Sequence, residues 1–168
     1  MKALKLAFWI FFMYIAENVF SVLLSLGGTV PNMLLAFVTA YGFCEIRERR
    51  GVKTVLICAV LCASGVGRCF EAVLILMVLS GAAAFLINGR VKSMPKIICV
   101  TAVAFSASCV TKLCESALDG GFNTGVIIGG VIPHGVYTAA VSVIIYLCLT
   151  KTVFKKEDKK LLIINERN

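Results

Sequence analysis

LAFWIFFMYIAENVFSVLLSL, residues 6–26, decides the fold. The run is 21 residues long and holds one charged side chain, Glu17. A helix needs about 20 mostly apolar residues to cross a hydrocarbon core of roughly 30 Å. Lys2 and Lys5 precede the run, and Gly27-Gly28 end it. A basic start before an apolar stretch also describes a signal peptide. This run is longer than the apolar region of such a peptide, and no small-x-small cleavage site leads into a soluble domain. It therefore reads as a retained first span.

Five more runs follow. Residues 30–46 are opened by Pro31, a residue suited to a helix start. Runs at 54–67, 70–88 and 97–118 come next, and 125–150 closes the series with Pro133 inside it. The chain of 168 residues is 60% hydrophobic and 15% charged. Soluble domains average roughly 45–50% apolar and about 25% charged, so a water-soluble globule is not expected. Disordered chains are poor in apolar residues, which excludes that class too. The prediction is an all-α, polytopic membrane bundle of six transmembrane helices. Residues 1–150 form the membrane domain, 151–168 a basic tail, and no separate soluble catalytic domain is expected.

Lys and Arg number 17 and Asp and Glu number 9, for a net charge of +8. In a soluble protein this excess would suggest nucleic acid. In a membrane protein it reports orientation, because cytoplasmic loops collect Lys and Arg. Fifteen of the 17 basic residues fall on one side of the six-span layout, leaving only Arg68 and Lys112 on the other. The expected topology places both termini in the cytoplasm, with the tail drawn to anionic lipid. The hairpin 54–88 is 35 residues long. Two full spans need about 40, so a short or tilted hairpin is expected, with Arg68 and Glu71 buried near the outer surface.

Ionisable groups inside a bilayer face protein or water. Tyr14, Glu17 with Asn18, Ser21 and Ser25 recur every three to four residues, on one helical face. Thr101, Ser108, Lys112 and Glu115 share a face of the fifth span, and Lys112 and Glu115 are spaced to pair at i, i+3. Glu17, Asn18, Arg68, Glu71, Lys112 and Glu115 are thus the candidate intramembrane polar or partner-contact residues. They read either as a cluster that binds a ligand or partner helix, or as internal ion pairs. A buried pair that loses one member is destabilised by roughly 3–5 kcal/mol. Pro133 predicts a helix kink, and His134 beside it is expected to satisfy backbone groups that the proline frees. A proton-carrying role for His134 is the functional alternative.

Eight cysteines lie mostly within the apolar runs, where Cys acts as a small hydrophobe. Cys69 and Cys114 fall near the outer face, and their pairing is left open. No zinc-ligand spacing and no hydrolase triad occurs, so neither cofactor nor metal is expected. Small residues four apart, such as Ala36/Ala40, Ser80/Ala84 and Ala104/Ser108, suit close helix approach in lipid.

Three stretches together resemble the rod shape-determining protein MreD family. The first is Pro31-Asn32-Met33-Leu34-Leu35, leading to the basic cluster that ends at Gly51. The second is the glycine-containing hairpin of residues 61–79, leading into Gly81 and Arg90. The third is Ile132-Pro133-His134-Gly135-Val136-Tyr137, followed by Ile144-Ile145-Tyr146 and a basic end. Length, span number and orientation agree across nearly the whole chain. The resemblance implies a non-catalytic scaffold of the cell-wall elongation machinery in a bacterial cytoplasmic membrane. It also implies MreC, the actin-like MreB and the polymerase–transpeptidase pair of peptidoglycan synthesis as partners. It leaves a homo-oligomer open.

Two other classes are weighed. The substrate-binding membrane subunit of an energy-coupling-factor vitamin transporter is also small, with about six spans, and the outer polar cluster could line its pocket. Its first span would need an AxxxA docking pair, which residues 6–26 lack. An AgrB-like intramembrane cysteine peptidase needs a His–Cys dyad. His134 and Cys148 lie 14 residues apart. That places them about 21 Å apart along one helix, too far for a dyad.

Overall fold

The structure is a computed structural model that describes residues 2–19, 23, 25, 29–44, 48–64, 70–90, 95–118, 125 and 127–154. Among the described residues, six α-helices carry the fold. They are α1 (Lys2–Asn18), α2 (Met33–Cys44), α3 (Glu48–Ser64), α4 (Phe70–Arg90), α5 (Lys96–Leu118) and α6 (Ile132–Leu149). Wider π-helical turns, Ile127–Val131 and Thr150–Phe154, flank α6. Arg68, Cys69 and the tail from residue 155 onward lie outside the described residues, so the expectations placed on them are not addressed.

The centre of the bundle is α2. Every residue from Met33 to Phe43 is buried. An apolar sequence with no polar stripe is what a helix packed on all sides requires. It packs against α1, α3, α4, α5 and α6, while α3 pairs with α4 and α5 with α6. Phe37 and Tyr41 stack with ring centroids 5.9 Å apart. Small residues set the helix spacing. A Cβ on Gly42 would come within 2.6 Å of the Ala84 methyl, and one on Gly81 within 2.7 Å of Val55.

The chain runs up and down, so all helix ends fall at one of two poles. Lys5 Nζ donates to Thr152 O at 3.1 Å, joining the start of α1 to the end of the last helix. Asn88 Nδ2 donates to Gly42 O at 3.4 Å, joining the ends of α4 and α2. Exposed Lys5, Lys53, Lys96 and Lys151 therefore gather toward one pole. Glu17, Glu71, Lys112 and Glu115 belong to the other.

Two helical runs, Lys96–Ala117 and Ile127–Val153, are long and apolar enough to cross a membrane. Their outer faces are not covered by the rest of the chain: Ile98, Val110, Val136 and Ile144 are exposed, as are Phe8, Ile57 and Leu79 on α1, α3 and α4.

Several boundaries differ from those the sequence predicts. The first helix begins at Lys2 and stops at Asn18, whereas an apolar run through residue 26 was expected. Asn18 Nδ2 donates to Tyr14 O at 2.9 Å, a side chain competing for the carbonyl that the helix would otherwise use. Ser25 is not helical, and Ser21 lies outside the described residues, so the expected polar stripe is seen only from Tyr14 to Asn18. The second helix is only 12 residues, about 18 Å, because Pro31 lies ahead of the cap residue and not within the helix. The third starts at Glu48, inside the basic cluster.

Candidate functional site

The site starts from the first backbone amides of α2. The first amides of a helix have no intrahelical acceptor. Asn32 supplies one: its Oδ1 accepts from Leu35 N at 2.7 Å, while its carbonyl accepts from Ala36 N at 3.0 Å. Glu17 supplies another from α1, its Oε2 accepting from Leu34 N at 2.9 Å. A carboxylate here also meets the positive end of the helix dipole. The Asn32 amide in turn donates to Thr138 Oγ1 of α6 at 3.1 Å. One helix start is thus fastened to both α1 and α6.

The second part comes from α5 and the last helix. Lys112 Nζ lies 2.9 Å from Glu115 Oε2, the i, i+3 pair that the spacing predicts. The two side chains are 40% and 25% exposed, so the pair is not a buried one. The penalty expected for breaking a buried pair does not apply. A pair this open to solvent contributes about 0–1 kcal/mol.

His134 is placed by the π turn before α6. Pro133 has no amide to donate and its ring crowds the carbonyl four residues earlier. The run accommodates it with the wider turn at Ile127–Val131 and continues, with Pro133 at the first turn of α6. His134 reaches across to α5: Ser108 Oγ lies 2.7 Å from its Nδ1. Ser108 is fully buried. The pair ties α5 to α6. Beside it, a Cβ on Gly135 would come within 2.5 Å of Cys109 Sγ, so the two helices are in close contact.

These pieces enclose a cavity of about 380 Å³. Glu17, Asn32, Lys112, Glu115 and His134 line it, with Thr29, Val30, Pro31, Gly129 and Gly130 completing the wall. Four of the sequence-derived candidates are thereby brought together: Glu17, Lys112, Glu115 and His134. Asn18 is exposed and turned to its own helix, and Glu71 is exposed in the first turn of α4, not buried. Neither joins the cavity. Thr101, expected on the polar face of α5, returns its hydroxyl to Ile97 O and lines an apolar groove with Phe105 and Ala139. Sequence reasoning missed Asn32 and Thr138. Asn immediately before an apolar helical run is an N-cap signal that points to Asn32. No local pattern marks Thr138.

Among the described residues, no group of three His, Cys, Asp or Glu side chains is arranged to hold a metal ion. No protein-family model, characterised protein or solved structure matches this chain.

Proposed function

We propose that the chain is a six-span, non-catalytic membrane scaffold of the bacterial cell-wall elongation machinery. Both termini are cytoplasmic, and its partners are MreC, MreB and the polymerase–transpeptidase pair. The observation that carries this reading is the division between inside and outside. The interior is given to packing around the enclosed α2. The outer faces of α1, α3, α4, α5 and α6 remain apolar and uncovered. Apolar surface on this scale is placed against lipid or partner helices.

Two further features support it. The exposed lysines gather at one pole, as cytoplasmic orientation of that pole requires. The segments that carry the family resemblance also occupy structural joints. Pro31-Asn32 precedes the fastened start of α2, Gly81 lies in the α3–α4 contact, and Ile132–Tyr137 opens α6. The vitamin-carrier alternative gains little, because among the described residues no Phe, Tyr or Trp ring lines the cavity to hold a flat vitamin.

The test is purification of the tagged chain from mild detergent, with identification of what accompanies it. MreC and the synthase pair are expected. An ATPase module in their place overturns the proposal.

A further inference from the structure

A groove of about 540 Å³ runs along the outer face of α5 and α6, from Ile97 to Phe105 and Val136. Ile98, Val136 and Ala140 are exposed on its walls, and Ala139 is buried in its floor. Thr101 also lines it, but its hydroxyl donates to Ile97 O at 2.8 Å, so the described lining offers hydrocarbon. Ile97 and Phe105 are eight residues apart, about 12 Å along a helix. One leaflet holds roughly 15 Å of hydrocarbon, half of the bilayer core. The far end of the groove lies near the middle of α5, where the two helices close up. A Cβ on Gly135 would come within 3.0 Å of the Phe105 ring and 2.5 Å of Cys109 Sγ. A partner helix runs through both leaflets, whereas a groove that stops halfway matches a molecule confined to one.

The near end of the groove carries charge. Lys96 is exposed and opens α5 immediately before Ile97. A lysine at the end of a membrane helix extends its ammonium to headgroup level while its stem stays on apolar surface. Lys5, Lys53 and Lys151 are exposed toward the same pole, which favours an anionic headgroup there. Hydrocarbon over one leaflet's depth and an ammonium at its headgroup level complement the two parts of a single lipid.

We propose that the α5–α6 groove seats an acyl chain of an anionic phospholipid, with the headgroup phosphate against the Lys96 ammonium. Ala139 and Ala140 leave the space that the chain fills, and Phe105 limits how deep it reaches. This seat rests on the membrane placement in the scaffold reading and not on the partners named there. In that reading the groove lies in the cytoplasmic leaflet, where anionic lipids are found.

The test uses the full chain in nanodiscs of phosphatidylglycerol and phosphatidylcholine in equal parts. One lipid or the other carries a photoactivatable diazirine midway along an acyl chain, and labelled peptides are mapped by mass spectrometry. The phosphatidylglycerol probe should label residues 97–105 and 136–140 about fivefold more than the phosphatidylcholine probe, the factor that corresponds to about 1 kcal/mol for one Lys near the surface. Lys96→Gln should bring the two yields together. Lys53→Gln, at the same pole but on α3, should leave the preference intact. Ala140→Phe fills the groove from an exposed position, so both probes should lose most of their labelling there. Lys96→Gln, on the surface, carries the test if the Ala140→Phe chain fails to fold. Equal labelling of the parent by both probes overturns the proposal, as does a preference that survives Lys96→Gln, or labelling undiminished in a folded Ala140→Phe chain. A second copy of the chain seated in the groove would exclude both probes and would also overturn it. MreC takes no part in these yields, so loss of the scaffold partners and loss of the lipid seat are separate results.

Discussion

Gly81 of α4 faces two helices at once. A Cβ there would lie 2.7 and 2.8 Å from the two γ-carbons of Val55 on α3, and 3.1 Å from Val38 on α2. Both valines are buried and β-branched, so neither can swing its side chain aside. Gly81→Ala should therefore destabilise the bundle by about 1–3 kcal/mol, the range for overpacking a close-fitted core. Gly129→Ala meets nothing and should be neutral or stabilising by up to about 1 kcal/mol. Thermal unfolding of the two purified variants measures the contrast; equal loss in both would mean that the helix contact is not as close as the structure has it. At this scale the sequence was partly legible. The Lys112–Glu115 pair follows from spacing alone, because i and i+3 are neighbours on any helix. The Ser108–His134 contact spans 26 residues and two helices, and no periodicity reports it. The destination of Glu17 was equally hidden, since a carboxylate in an apolar run does not announce which helix start it will cap.

The second helix shows what a helical element needs beyond apolarity. Twelve residues are too few for a stable isolated helix, so α2 depends on its packing and on its cap. Asn32→Ala removes the acceptor of the Leu35 amide and should lower stability by about 1 kcal/mol. The loss should appear first as faster hydrogen exchange at Leu34, Leu35 and Ala36, while α5 is unaffected. Unchanged exchange at those three amides would show that Asn32 does not hold the helix start. The apolar runs locate the helices well but their ends poorly, for a common reason. Hydropathy reports which residues avoid water, not where the backbone stops hydrogen-bonding to itself. Asn18 ends α1 through a local side-chain bond, and Asn32 starts α2 through another. Both lie within or beside stretches that hydropathy alone would run together.

For the whole molecule, the distribution of charge and of exposed apolar side chains predicts one placement. The up-and-down course brings the starts of α1, α3 and α5 together with the ends of α2, α4 and the last helix. The Lys5–Thr152 and Asn88–Gly42 contacts fix this pole. Lys5, Lys53, Lys96 and Lys151 are exposed toward it. Cytoplasmic enrichment of Lys and Arg sets the orientation of multi-span proteins, so the proposed scaffold places this pole inside. Between the poles, Phe8 on α1, Leu79 on α4 and Ile144 on α6 point away from the rest of the chain, each more than half exposed. In water such a surface would aggregate. Spin labels at these three positions should respond to a lipid-soluble relaxing agent in nanodiscs and be shielded from a water-soluble one. A reporter that works only in the cytoplasm should be active when fused after Asn168. The two measurements test separate parts of the layout. Labels accessible from water would remove the bundle from the membrane. An inactive reporter, beside one that works only outside the membrane and is active at the same position, would leave the bundle embedded and reverse the last span.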